Sequence, residues 1–221
     1  MVDLSRYRLV DLSEEIAPGE RKIDGRYLHG EPHRGRPVEL QEFIAFGARM
    51  HHVQTQTHLG THAEAAYKYD EHGADLAQMP LGAYRGEAVN CDFSHKAARD
   101  PVGIADFQRL GVRTGDIVLA WASPATAHDP PFITNAAIDW MIAIRIKAFA
   151  FQDIRYSPPG TPLGQGDSDC RLLLAGIPVY DGVVGLHQLT KRRVFFIGLP
   201  AKMRRVTAFT TRAIALEPLD G

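Results

Sequence analysis

Short apolar segments that alternate with helix-like segments limit the fold of this sequence more than any other feature. The apolar segments favour β-strands, because they are short, contain many β-branched residues and are separated by turn residues. Alternation of strands with helices is typical of α/β proteins. Because the strands outnumber the helices, we predict a mixed, barrel-like β core flanked by helices, in a single domain over residues 1–221.

The predicted elements cover most of the chain. We predict strands over residues 8–12, 50–58, 86–93, 117–121, 148–152, 177–180, 194–199 and 212–216. We predict helices over residues 104–110, from Thr134 or Asn135 to residue 144, and near residues 168–175. Gly111 and Gly176 would end the first and the third helix. Residues 25–37 are rich in Gly, Pro, Arg and His, which predicts a long loop or arm.

Charge and cysteine content argue against several classes of protein. The net charge is −1 and the sequence pI is about 6.8, whereas a dedicated nucleic-acid-binding protein usually needs a basic surface. Cys91 and Cys170 are too few for a disulfide framework, which favours a reduced, cytoplasmic setting. The N-terminal residues lack the apolar run of a signal peptide, and no window is apolar enough to span a bilayer. We therefore expect a cytoplasmic protein that binds neither nucleic acid nor a membrane.

The heptapeptide HLGTHAE, which begins at His58, places two imidazoles and a carboxylate close together. His58, His62 and Glu64 are the ligand types that Zn or Mn takes in proteins. His62 and Glu64 are two residues apart and share a face in extended backbone, and Gly60 would let the chain bend so that His58 reaches the same point. Thr61 could hold a ligand through a hydrogen bond. Spacing alone also leaves open a chance pair of histidines beside a glutamate.

The sequence around this heptapeptide resembles the cyclase family of metal-dependent hydrolases, which includes bacterial kynurenine formamidases and isatin hydrolases. HLGTHAEAAYK corresponds to the family signature HxGTHxDxPxH, and HGADLAQMPLGAYRGEAVNCDFS follows it in the family's order. The likeness also includes VDLS, FQDIRYS, LLLAGIPVYDGV, FIGLPAKM and RAIAL. The resemblance implies a fold of the swivelling β/β/α type and a divalent metal, Zn or Mn, as one or two ions.

Site residues follow from the resemblance by position. His58 and His62 match the first two metal-binding histidines of the family. Glu64 stands where the family usually has a metal-binding Asp. Asp181 stands where the family has a Glu that binds metal or acts in catalysis. Asp169 stands where formamidases have another metal-binding histidine, although the neighbouring Asp167 could also take that place.

Lys68 and Asp169 depart from the family pattern, and each allows more than one interpretation. Lys68 replaces the last histidine of the signature. Near a dication its pKa should fall, so that it could act as a general base; it could also hold an anionic substrate, or simply point to solvent. Asp169 could instead be a capping residue, because it lies near the start of a predicted helix. Ala66, in place of the signature proline, would only loosen the loop.

The implied activity is hydrolysis of a small cyclic or aryl amide (a formamide or lactam) or of a lactone by a metal-activated water. This would be an arylformamidase-like enzyme that acts on C–N bonds other than peptide bonds, with Asp181 or Lys68 transferring the proton. The alternatives are a cyclase or dehydratase on the same scaffold, and a catalytically silent member that binds a ligand.

Candidates for substrate binding lie on both sides of the motif. His52 and Gln56 would share the strand face that leads into it, and Tyr67 or Tyr69 could stack on an aromatic ring. Ordinary surface or core packing is the alternative for each. The resemblance also implies a homodimer or higher homo-oligomer, for which residues 25–37 are the candidate arm.

Overall fold

The computed structural model describes residues 3–16, 38–162, 164 and 166–219. Its strands are β1 Tyr7–Asp11, β2 Glu39–Ala45, β3 Ala48–Gln54, β4 His62–Glu64, β5 Arg85–Asp92, β6 Pro101–Val102, β7 Ile117–Trp121, β8 Phe132–Ile133, β9 Ala148–Gln152, β10 Val179–Asp181, β11 Arg193–Pro200 and β12 Ala208–Pro218. Its α-helices are α1 Ile104–Arg109, α2 Asn135–Ala143 and α3 Ser168–Leu174. Within the described ranges, no helix has the length and apolar character needed to cross a membrane.

Strands β12, β11, β5, β7, β9, β10 and β4 close into a barrel in that order. The ring closes because β4 pairs with both β10 and β12. The pairs from β5 to β10 are parallel and the others are antiparallel, so the sheet is mixed. Strand β12 is long enough to pair with β4 at its beginning and with β1 at its end. The mixed, barrel-like β core predicted from the sequence is confirmed.

The apolar side chains of the barrel strands form two separate clusters. In β7, Ile117 and Leu119 belong to the cluster inside the barrel, whereas Val118 and Ala120 belong to the cluster that packs with the helices. Both faces of this strand are therefore buried, which explains its continuous apolar sequence. In β10, Tyr180 fills the barrel interior, and its hydroxyl donates to Gly198 O at 2.7 Å.

The strand predicted over residues 50–58 is wrong in its second half. Strand β3 ends at Gln54 and pairs with β2, a strand that the sequence did not predict, in a two-stranded hairpin outside the barrel. All residues of β3 are exposed, so its alternating pattern reflects a solvated hairpin and not a half-buried barrel strand. An irregular segment then leads to the short strand β4. The predicted arm at residues 25–37 lies outside the described residues.

The loop before β4 packs directly against the chain after β10. Gly182 has a φ of +67°, and a Cβ placed there would lie 2.4 Å from Gly60 O. The Thr61 hydroxyl donates to Gly182 O at 2.6 Å and accepts from Glu14 N at 2.8 Å. This close approach of two backbones requires glycine at position 182. It fixes the position of the HLGTHAE segment relative to the end of β10.

We expect Gly182→Ala to lower the free energy of unfolding more than Gly115→Ala does. Alanine at either positive φ costs roughly 1–2 kcal/mol, since φ is +67° at Gly182 and +80° at Gly115. Only at Gly182 would the methyl group also meet backbone, because nothing lies within 4 Å of a Cβ at Gly115. Urea unfolding of both variants measures the difference, and equal losses would show that the close approach adds nothing.

Candidate metal centre

Strand β4 and the loop before it bring two imidazoles and a carboxylate together. His58 Nδ1 lies 2.7 Å from Glu64 Oε1, and His62 Nε2 lies 3.3 Å from the same oxygen. The ligand atoms of the three residues lie within 4.8 Å of one another. His62 and Glu64 are buried, and Gly60, with a φ of +56°, provides the bend that turns His58 toward them. The three side chains thus converge as their spacing predicted.

Each histidine ring is oriented by a hydrogen bond on its far side. His62 Nδ1 lies 2.8 Å from Gly60 O, and because a carbonyl can only accept, Nδ1 carries the proton and Nε2 faces the cluster. His58 Nε2 lies 2.9 Å from Thr207 Oγ1, so its Nδ1 faces the cluster. Such outer partners fix the tautomer of metal-binding histidines. The donor set of two imidazole nitrogens and one carboxylate therefore fits a divalent transition metal.

Thr207 is a site residue that sequence reasoning missed. It is 149 residues from His58, and no motif marks it. The contact arises because the backbone of Thr207, just before β12, pairs with that of Ala65, just after β4. Thr61 was expected to hold a ligand, and its hydroxyl instead bonds the backbone at Gly182. Only the barrel closure reveals these two roles.

The cluster is electrostatically prepared to attract positive charge. Burial raises the pKa of Glu64, but hydrogen bonds from His58 and His62 and the charge of Lys68 hold it well below its usual range. Burial lowers the pKa of His62, yet its hydrogen bond to Glu64 and the charge of Asp181 raise it overall. Burial dominates at His58 and lowers its pKa. The ionised Glu64 carboxylate is therefore surrounded by nitrogen atoms of His58, His62 and Lys68.

Lys68 points into the site and not to solvent. Its Nζ lies 3.0 Å and 2.8 Å from the two carboxylate oxygens of Glu64 and 2.7 Å from Asp169 Oδ2. Burial lowers the pKa of Lys68, but the negative charges of Glu64 and Asp169 raise it overall. The role of Lys68 as a general base or as a holder of an anionic substrate stays a prediction.

Asp169 lies at the start of α3 but does not cap it. The N-cap is Asp167, whose side chain accepts from Cys170 N at 2.8 Å. Asp169 is buried, and its Oδ2 accepts from Lys68 and from the Tyr69 hydroxyl at 2.9 Å. Burial and the charge of Glu64 raise its pKa to about 7. Its Oδ1 is buried and has no hydrogen-bond partner among the described residues. Asp169 is not part of the convergent three-residue cluster.

Asp181 lies beside the cluster at the end of β10. Its backbone is paired with that of His62 in the β4–β10 ladder. Its Oδ1 accepts from Gly182 N at 2.7 Å, and its negative charge contributes to the raised pKa of His62. Like Asp169, it is not one of the three residues whose ligand atoms converge. Its assignment as a metal ligand or catalytic residue stays a prediction.

The predicted substrate-binding residues are spread over three places. His52 is exposed on the β2–β3 hairpin, where its ring stacks on Phe43 at 4.7 Å between centroids. Gln56 is half-buried in the irregular segment after that hairpin, so the two do not share one strand face. Tyr69 bonds Asp169 and is thereby held in place. The roles of His52, Gln56 and Tyr67 in substrate binding stay predictions.

Tyr67 lines an open groove of about 640 Å³. Tyr67 is next to Lys68, and Arg205 is two residues before Thr207. The groove is polar, and its other lining residues include Glu71, Asp75, Gln78, Lys202 and Arg204.

The sequence and the fold of this chain resemble those of known proteins. A family model named Cyclase, described as "Putative cyclase", matches residues 10–154. Isatin hydrolase A from Labrenzia aggregata, bound to benzyl benzoate, has a TM-score of 0.75 at 20% identity, over 97% of this chain and 95% of that one. Isatin hydrolase A from Ralstonia solanacearum has a TM-score of 0.73 at 18% identity, over 96% and 93%.

A third similar structure is a "predicted metal-dependent hydrolase" from Bacillus stearothermophilus. Its TM-score is 0.71 at 18% identity, over 96% of this chain and 98% of that one. At such low identities these likenesses establish a shared fold. The family model, in contrast, matches more than half of the sequence and includes the whole HLGTHAE segment. The resemblance noted in the sequence is thereby confirmed, and this chain belongs to the Cyclase family.

Proposed function

We propose that this protein is a metal-dependent hydrolase of a small cyclic or aryl amide, such as a formamide or lactam, or of a lactone. The observation that carries the proposal is the convergence of His58, His62 and Glu64 on one point at the barrel closure. Membership of the Cyclase family and the fold shared with isatin hydrolases support the same class of reaction. Arylformamidase-like specificity is the narrower form of the proposal.

The three converging residues would hold one divalent ion, Zn or Mn. Such an ion supplies a Lewis acid for the substrate carbonyl and lowers the pKa of water. His58 and His62 provide the nitrogen ligands, because their outer hydrogen bonds to Thr207 and Gly60 leave one ring nitrogen each for the ion. Glu64 provides the oxygen ligand and remains ionised because its pKa is held low.

Asp181 is the proposed proton-transfer residue. Its carboxylate takes a proton from the attacking water while the water oxygen bonds to the acyl carbon, and it returns the proton to the leaving nitrogen or oxygen as the C–N or C–O bond breaks. Its position beside His62 at the end of β10 favours this role. Lys68, which keeps its proton, positions Glu64 and Asp169 and is not a base in this scheme.

Two other functions would use the same scaffold. A cyclase or dehydratase would bind the metal without hydrolysing amides or lactones. A silent ligand-binding member would bind no metal. The convergent cluster favours the two enzymes over the silent member, because outer hydrogen bonds orient the two histidines of the cluster as metal ligands are oriented.

The expected compartment remains the cytoplasm, in keeping with two free, buried cysteines.

We expect His62→Ala to weaken Mn²⁺ or Zn²⁺ binding by at least about 100-fold and to abolish turnover, since even outer partners of such ligands contribute 10- to 100-fold. His72→Ala is the matched control, because His72 is exposed and outside the cluster.

Asp181→Asn should keep the metal and lower kcat by about 100-fold or more. Metal analysis without chelators and turnover on formamides, lactams and lactones measure these changes.

The outcomes separate the candidate functions. Bound metal with EDTA-sensitive hydrolysis supports the proposal. Metal without hydrolysis of any compound in the panel points to the cyclase or dehydratase. If purified wild-type protein holds no metal, or if His62→Ala retains both metal and activity, the hydrolase proposal is rejected.

We also propose that the chain forms a homodimer or larger homo-oligomer through the β2–β3 hairpin. A two-stranded hairpin is only marginally stable alone in water, and this one has exposed apolar residues, including Ile44 and Val53. Its turn has a positive φ at both Phe46 and Gly47, and Phe46 is fully exposed. A bulky residue is unfavourable at such a φ, where Asn is preferred. Burial of Phe46 against a second copy would offset both costs.

Phe46→Asn should therefore stabilise the turn and weaken self-association. We expect a wild-type dimer or larger species in sedimentation equilibrium and a shift of the variant toward the monomer. Leu81→Ser is the control, because Leu81 is an exposed apolar residue outside the hairpin. A monomeric wild type, or an unchanged assembly in Phe46→Asn, would contradict this mode of association.

A further inference from the structure

Lys68 occupies a position among the acidic groups that a metal ion could otherwise take. Its ammonium group lies within 3.0 Å of both oxygens of Glu64 and 2.7 Å from Asp169 Oδ2. It also lies 5.3 Å from the centroid of the Tyr69 ring. The Lys68 side chain is three-quarters buried, and the two carboxylates are almost fully buried. This is an enclosed position, and not a surface ion pair.

We propose that the Lys68 ammonium is a permanent second cation of the site, which limits the protein to one divalent ion. The inference rests on the proposed function, because it assumes that His58, His62 and Glu64 hold the first ion. Glu64 would then contact two cations: the ion held with His58 and His62, and the Lys68 ammonium group. Asp169 is held by Lys68 and is not a ligand of the resident ion.

The hydrogen-bond pattern supports this division of Glu64. Its Oε1 is the oxygen that approaches both His58 and His62, at 2.7 Å and 3.3 Å. Lys68 Nζ lies 3.0 Å from Oε1 and 2.8 Å from Oε2. Oε1 therefore faces both histidines and Lys68, whereas Oε2 faces Lys68. A carboxylate that uses its two oxygens in this way links the two positive centres.

The charge balance also favours one metal ion. Glu64, Asp169 and the adjacent Asp181 carry at most three negative charges. Lys68 and a single divalent ion carry three positive charges, so the group is then close to neutral. A second divalent ion beside Lys68 would leave two uncompensated positive charges in a buried place, which is strongly unfavourable.

Loss of Lys68 would create the second metal position. The Glu64 and Asp169 carboxylates would face one another without a cation between them, and two such groups repel when both are ionised. Asp169 Oδ1 is already buried without a hydrogen-bond partner among the described residues, so it would be available, while Oδ2 would keep only its hydrogen bond from Tyr69. Oxygen ligands of this kind suit Mn²⁺.

Mn²⁺ titration of metal-free protein tests the proposal. We expect one tightly bound Mn²⁺ per chain in the wild type and in Lys68→Arg, which keeps the charge. We expect two in Lys68→Met, which keeps the apolar stem and removes the charge, and one again in Lys68→Met with Asp169→Asn. Elemental analysis gives the count, and EPR spectroscopy distinguishes an isolated Mn²⁺ from a magnetically coupled pair a few ångströms apart.

The Asp169→Asn variant keeps the test decisive if Lys68→Met does not fold. In the wild-type background it should change Mn²⁺ affinity by less than about tenfold, because even an outer partner of a true ligand contributes at least that much. Two Mn²⁺ ions in the wild type, one in folded Lys68→Met, or loss of the first ion in Asp169→Asn would each overturn the proposal. No Mn²⁺ in the wild type would instead reject the metal site itself.

Discussion

Burial of the Glu64 carboxylate is the constraint on which the rest of the site depends. An ionised carboxylate is tolerated in a protein interior only where donors and positive charges surround it. His58 and His62 approach one of its oxygens and Lys68 approaches both. All four residues lie within eleven positions of one another. The short strand β4, the loop before it and the turn after it therefore supply both the negative charge and the groups that stabilise it.

The parts of the structure that depend on local pattern could be predicted from the sequence. Strands β7 and β9 are continuous apolar segments because both of their faces are buried, and their bounds match the prediction. The convergence of His62 and Glu64 follows from their spacing of two in extended backbone. Gly60 provides the bend because its φ is positive, as proposed from the sequence. Short-range geometry determines all of these features.

Features that depend on distant parts of the chain could not be predicted. The pair between Lys68 and Asp169 joins residues 101 positions apart, and the charge of Asp169 helps to raise the pKa of Lys68. Asp167 and Asp169 both suit the start of a helix, and only packing decides which of them caps it and which enters the site. The strand predicted over residues 50–58 ends at Gln54 and belongs to a hairpin outside the barrel, because alternation alone does not distinguish a solvated strand from a half-buried one.

The pairing of β4 with β12 has a consequence for how the protein becomes functional during synthesis. The three ligand residues belong to the first third of the sequence, yet β4 is held between β10 and the beginning of β12. A ribosome releases the N-terminal part first, so the histidines emerge long before residues 208–210 exist. The three-residue cluster therefore acquires its final surroundings only after residues 208–210 have been translated. Products that terminate before these residues lack the strand that holds β4 on this side.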